Sequence, residues 1–202
     1  MLRILVIALV ALVAVLFLVP RPAETPPPVE VATVLDEPRP LPAVALTDAQ
    51  GEPFSIDDLA GRHVLVFFGF TNCPDICPIA LAIIAEAVDR LRADAPEVAP
   101  EVLFVSVDAA RDSPQRIRAY LDGFDERFVG ATAPEAALDP LLDALGVTVH
   151  KEVSGDAVYN VVHNGTIFVL DDAGRWIALF GGSSHRADDI VGDYLALRAA
   201  ER

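Results

Sequence analysis

The chain has 202 residues, 53% of them hydrophobic, and a formal net charge of −15 from 30 Asp and Glu against 15 Lys and Arg. With a single lysine, Lys151, and no basic cluster, it lacks the cationic surface that phosphate backbones require, so nucleic acid is excluded as a partner. The length suits one ordinary domain with extensions, large enough to bury a core.

Residues 4–19 are uninterrupted apolar after Arg3, close to the roughly 20 residues that span a bilayer. Residues 1–20 therefore read as a transmembrane anchor or signal segment. The following Pro20-Arg21-Pro22-Ala23-Glu24 lacks the small-x-small pattern of a signal-peptidase site, and no cysteine stands there for lipid attachment. An uncleaved anchor is the favoured expectation, with Arg3 keeping the short N-terminal side in the cytoplasm and the rest exported. Residues 21–42, with Pro26-Pro27-Pro28, form a Pro-rich linker, expected to build neither helix nor ladder and to act as an extended tether. The folded domain is expected over 43–202.

Within it, 44–46 is a short strand candidate closed by a turn over 47–51, followed by 54–56 and a polar stretch to Gly61. Residues 64–70 are β-branched and aromatic and read as a buried strand. Beyond Pro78, the apolar positions Ile79, Leu81, Ile83, Ile84, Val88 and Leu91 predict a helix, and Pro78 suits its first turn, where N–H groups lack partners anyway. A second apolar strand spans 102–108. Ser113-Pro114 opens the next helix, with Ser113 as cap and Ile117, Tyr120 and Leu121 facing inward. A short strand at 128–131 precedes a helix over 134–145 ended by Gly146. Strands at 159–163, 166–170 and 176–180 follow, the last two joined by a hairpin loop over 171–175, and a helix over 187–197 closes the chain. Fully apolar strands alternating with helices predict an α/β sheet covered on both faces, a thioredoxin-like plan with additions.

The only two cysteines, Cys73 and Cys77, sit where the 64–70 strand gives way to its helix. The positive end of the helix dipole is expected to favour thiolate there. If the first helical turn already includes Cys73, the spacing of four places both sulfurs on one face, with Cα atoms roughly 6 Å apart. That separation serves a disulfide and a chelated metal equally. The plainer alternative is a pair of buried cysteines acting as small hydrophobes, against which stands the polar, proline-rich surround of Pro74, Asp75 and Pro78.

Three blocks, Phe68-Gly69-Phe70-Thr71-Asn72-Cys73-Pro74-Asp75-Ile76-Cys77-Pro78, then Phe104-Val105-Ser106-Val107-Asp108-Ala109-Ala110-Arg111-Asp112-Ser113-Pro114, then Val162-His163-Asn164 ahead of a strand ending Leu170-Asp171, occur in this order and resemble the SCO/SenC family over roughly residues 40–198. The resemblance implies a membrane-anchored, thioredoxin-like domain that binds copper and delivers it to the CuA site of cytochrome c oxidase. It also implies a bacterial inner-membrane protein of one pass facing the periplasm, a binding protein rather than an enzyme. The implied partners are the CuA-bearing subunit, together with another periplasmic copper chaperone or a thioredoxin-like reductant.

The family's copper ligands correspond to Cys73, Cys77 and His163. Two thiolates and an imidazole are a soft set suited to Cu(I), with Cu(II) needing a further donor. Structural zinc, which prefers four protein ligands, fits less well. His63 precedes a strand at the wrong end, His150 lies beside Lys151 in an expected polar loop, and His185 before the last helix is the reserve ligand. Two positions depart from the family pattern. Val162 replaces the usual acidic residue before the histidine, and Asn164 the usual Ser or Thr after it. Both bear on affinity and on the handling of Cu(II), because a carboxylate beside a metal-binding histidine fixes its tautomer and raises its basicity. Asp75 and Asp108 are candidate outer-shell groups, or ordinary helix-start and turn residues. The rival reading is a thiol-disulfide oxidoreductase, with Cys73 as nucleophile and Cys77 as resolving thiol, reducing the cysteines of a copper-site acceptor. A peroxidase of related fold is a poorer third for want of a separate Thr-x-x-Cys motif.

Overall fold

The computed structural model describes residues 28–154, 158–162, 165–182 and 186–201, with the backbone alone for 150–154 and 158–162. The expected transmembrane segment and the first part of the linker lie outside this set. Among the described residues no helix is long and apolar enough to cross a membrane.

The centre of the fold is β4 (Val64–Gly69), buried at every residue, because apolar side chains on both faces of its pleat demand cover on both sides. It pairs in parallel with β5 (Glu101–Ser106), which pairs in parallel with β6 (Val129–Thr132). The parallel connections are made by α1 (Ile76–Asp94) and α2 (Pro114–Leu121). On its other side β4 pairs antiparallel with β9 (Ile167–Leu170), which continues into β10 (Trp176–Phe180) through a hairpin whose Gly174 takes a positive φ of 72°. Beyond β6 lie β2 (Leu46–Asp48) and β3 (Pro53–Phe54), completing with β1 (Thr33–Arg39) an eight-stranded mixed sheet flanked by helices. Phe67, Phe68, Phe70, Phe104, Phe128, Phe168 and Phe180 fill the core around it.

Several local readings hold. Ser113 caps α2 by accepting from the Arg116 N–H (3.3 Å), with Pro114 at the helix start. Gly146 ends α3 (Glu135–Leu145) in the left-handed conformation, φ 66°. Gly130 leaves room for α2 on β6: a Cβ there would stand 2.5 Å from Ile117 Cγ2 and 2.7 Å from Leu121 Cδ1.

Two segments depart from expectation. Thr33–Arg39, placed in the unpaired tether by its composition, forms β1 and pairs antiparallel with β10. Proline is tolerated there because β1 is a sheet edge whose register is interrupted between Val34 and Arg39, so Pro38 forfeits no required ladder bond. Arg39 then lies over the Trp176 ring, 5.6 Å from its centroid. The second departure is His150, expected in a loop. It opens β7 (His150–Ser154), which pairs with β8 (Val158–Val162) as a separate two-stranded ribbon. The polar Lys151-Glu152 pair hid this strand, which is defined by its partner rather than by its own propensity.

The segment entering β1 is pinned to the last helix, α4 (Ala187–Ala200), which packs alongside α1. Asp193, 3% exposed on α4, accepts the backbone N–H groups of Glu30 (2.8 Å), Val31 (2.7 Å) and Ala32 (2.6 Å). A buried carboxylate satisfied by several donors is worth more than a neutral acceptor. Asp193→Ala should therefore lower stability by about 2–3 kcal/mol and release residues 30–32. Urea unfolding together with amide exchange at those three positions checks this, and unchanged protection there would contradict it.

Candidate metal centre

Where β4 ends, the chain turns. The Cys73 N–H donates to Phe70 O (3.1 Å), and α1 begins three residues later at Ile76. Cys73 thus lies in the loop rather than in the first helical turn, while Cys77 is the second residue of the helix and Pro78 the third. The two cysteines nonetheless meet. The Cys77 N–H donates to Cys73 Sγ at 3.3 Å, and neither residue is in a disulfide. They are unequal: Cys77 is fully buried, Cys73 only partly.

The expected thiolate preference at the helix start does not hold for Cys77. Its pKa is pushed well above the ordinary thiol range, first by the hydrogen bond it shares with Cys73 and then by burial, against a smaller downward pull from the Phe70 backbone. A thiol hydrogen-bonded to a neighbouring sulfur inside the core keeps its proton unless a cation replaces it.

Gly69 makes the close approach of sheet and helix possible. A Cβ at this position would lie 3.1 Å from Cys77 Sγ and 2.7 Å from Phe104 Cε2. Gly69→Ala should cost about 1–3 kcal/mol through overpacking of an already filled core. Urea unfolding is the check, and a midpoint equal to the parent's would show that the sulfur and ring yield freely.

The third expected ligand, His163, lies outside the described residues, as does the reserve ligand His185. Of their described neighbours, Gly165 packs at the start of α1. Val162 ends β8, and at Gly165 a Cβ would stand 2.8 Å from Ile76 Cδ1, beside Cys77, and 3.3 Å from Gly182 O. Among the described residues no three His, Cys, Asp or Glu side chains come together as a metal cluster. His63 is placed elsewhere: it is buried next to Tyr194 and pairs through Nε2 with Arg198 Nη1 at 2.6 Å.

Of the two outer-shell candidates, Asp75 is exposed at the N-cap and makes no side-chain capping bond. Asp108 is fully buried and bonded to Arg111, which lies over the Phe70 ring with its guanidinium 5.8 Å from the centroid.

Sequence reasoning missed two residues. Tyr120, seen only as an inward helix position, stacks near Phe104 and Phe124. Its phenol is held above the ordinary range by burial and then by the charges that Cys77, Cys73 and Asp112 can carry. Asp112 accepts from Thr71 and Ser106 and so ties the cysteine loop to β5. The only signal for it was a second carboxylate in the run from Asp108 to Pro114.

The arrangement has known counterparts. Residues 40–196 match the family model described as SCO1/SenC. A protein of Stutzerimonas stutzeri described as a putative copper-binding protein is 35% identical over 141 residues, covering 70% of this chain and 69% of that one. The solution structure of apo Sco1 from Thermus thermophilus is 34% identical, with a TM-score of 0.72 over 82% of this chain and 95% of its own. The copper-bound crystal structure of Arabidopsis thaliana ScoI is 26% identical, with a TM-score of 0.72 over 78% of this chain and 97% of its own.

Proposed function

Because this chain belongs to the SCO1/SenC family, we propose that it is a copper-binding assembly protein that holds one copper ion through Cys73, Cys77 and His163 and passes it to the CuA site of cytochrome c oxidase. The observation that carries this reading is the Cys77 N–H bond to Cys73 Sγ, which brings the two reduced cysteines together at a helix start. Sulfur donors select Cu(I), and an imidazole completes a three-donor set. The Stutzerimonas stutzeri relative described as a putative copper-binding protein and the copper-bound ScoI of Arabidopsis thaliana support the same cargo.

Copper is the cargo, and the two sulfurs divide the work of holding it. Cys77, locked in helix and core, is the fixed donor. Cys73, partly exposed in the loop, is the donor an incoming thiolate can reach. In the transfer an acceptor thiolate bonds to the ion as the Cys73–copper bond breaks, a second acceptor donor then replaces Cys77 and His163, and the two released thiolates each take up a proton from water. No electron moves. Loading is the reverse: the two thiols give up their protons to bind the ion, so affinity falls as pH falls. The apolar segment over 4–19 and the Pro-rich linker support a single-pass anchor in a bacterial inner membrane with the domain facing the periplasm. In that oxidising compartment the pair must be kept reduced before copper can bind, a task for a thioredoxin-like reductant.

The second reading, thiol-disulfide exchange with an acceptor's cysteines, draws on the same asymmetry, since a partly exposed nucleophile backed by a buried resolving thiol suits such chemistry. Metal analysis of the purified chain after Cu(I) loading and gel filtration, alongside a disulfide-reduction assay on insulin, separates the two. One copper per chain without turnover of disulfides is the expected result. Sustained turnover by a chain that retains no copper would overturn the first reading in favour of the second.

A further inference from the structure

Asp112 precedes α2 and is 1% exposed, yet it is a carboxylate. Its oxygens are occupied by the Thr71 N–H (2.8 Å), the Thr71 Oγ1 hydroxyl (2.5 Å) and the Ser106 Oγ hydroxyl (2.6 Å). Thr71 in turn accepts from Arg116 Nε (2.7 Å), and Arg116 Nη2 donates to Asn72 Oδ1 (2.5 Å). These bonds take hold where the sheet lets go. The β4–β5 ladder ends at Gly69 opposite Ser106, with one more bond from the Val107 N–H to Gly69 O (2.9 Å). Past that point the chain leaves the ladder, and the carboxylate supplies the acceptor that a neighbouring strand no longer offers. Burial of a charge is costly unless its oxygens are hydrogen-bonded, and here two of the three short charge-assisted bonds come from Thr71 in the cysteine loop and the third from Ser106 at the end of β5.

The two residues immediately before Cys73 are therefore clamped from the α2 side, and the residues from Ile76 onward are fixed by α1. Between them stand only Cys73 and the exposed Pro74 and Asp75. A metal site tolerates about 0.5 Å of ligand displacement, so whatever sets the direction in which the chain enters Cys73 sets the separation of the sulfurs. We propose that Asp112 is a positioning residue for the thiol pair: through Thr71 it fixes the entry to the cysteine loop and holds Cys73 Sγ at coordinating distance from Cys77 Sγ. This inference rests on the copper reading above. Ser106 is the internal contrast, because it bonds the same carboxylate from the end of a buried strand and does not lie in the loop.

The test compares the wild-type chain with Asp112→Asn, Thr71→Val and Ser106→Ala, measuring Cu(I) affinity by competition with a chromophoric Cu(I) chelator and apo stability by urea unfolding. Asp112→Asn should weaken Cu(I) binding by about 10–100-fold, the range found for residues that orient metal ligands. Thr71→Val, which leaves the buried carboxylate its bonds to Ser106 and to the Thr71 N–H, should weaken it several-fold. Ser106→Ala should lose stability while binding Cu(I) within about twofold of the parent. A purely structural role for the carboxylate would lower the urea midpoint of all three and move none of the affinities. Folded Asp112→Asn binding Cu(I) as tightly as wild type overturns the proposal. Should that variant fail to fold, Thr71→Val at wild-type affinity overturns it equally. A wild-type chain that binds no Cu(I) removes the copper reading itself, an outcome distinct from either.

Discussion

Cys77→Ser is expected to abolish tight copper binding while the domain stays folded. The serine hydroxyl is a hard, weakly basic oxygen where Cu(I) wants a polarisable sulfur, so the loss should exceed the ~100-fold that outer-shell changes produce. Serine fits the space, because it is smaller than cysteine in a position where Gly69 already leaves the sulfur just enough room. The Cys77 backbone N–H keeps its bond to Cys73 Sγ, since that donor does not belong to the replaced side chain. Stability should change by about 1 kcal/mol, the scale of one altered buried polar contact. Equilibrium competition for Cu(I), with circular dichroism as the control for folding, decides it. Tight binding by folded Cys77→Ser would mean that copper sits elsewhere in the chain.

His163→Ala carries the second large effect. Its loss leaves two sulfurs, and a two-coordinate Cu(I) thiolate pair can persist, so binding should weaken by about two orders of magnitude or more without vanishing. Cu(II), which needs nitrogen and oxygen donors to complete a tetragonal site, should fall further still, and the thiolate-to-Cu(II) absorption band should shift or disappear. The support for this ligand is its place in the chain. It directly follows Val162 at the end of β8 and comes two residues before Gly165, which packs against Ile76. Unchanged affinity and an unchanged spectrum in His163→Ala would remove it from the ligand set and bring His185 forward.

The parts of the fold that were readable in the sequence are those decided locally. Apolar runs marked β4 and β5, Ser113-Pro114 marked a capped helix start, Gly146 marked a helix end, and the 171–175 stretch marked a hairpin loop. Each depends on neighbours a few positions away, where propensity and sterics act directly. What stayed hidden depends on partners far along the chain. β1 is a strand because β10 offers it an edge, and β7 is one because β8 faces it. The grip of Asp193 on Glu30, Val31 and Ala32 crosses some 160 positions, and that of Asp112 on Thr71 crosses 41.

The candidate site divides the same way. Cys73 and Cys77 declared themselves by type and spacing, whereas their inequality, one partly exposed and one in the core, follows from how α1 packs on the sheet. That packing also reverses the expectation for Cys77. A helix start favours thiolate by a modest amount, whereas burial and a shared proton act against it at closer range.

X-ray absorption at the copper edge of the Cu(I)-loaded chain is the most direct test, because it counts the atoms bonded to the ion. The account predicts two sulfur neighbours and one nitrogen, with the nitrogen lost in His163→Ala and one sulfur lost in Cys73→Ser. A first shell without sulfur, or one identical in the parent and in His163→Ala, would contradict it.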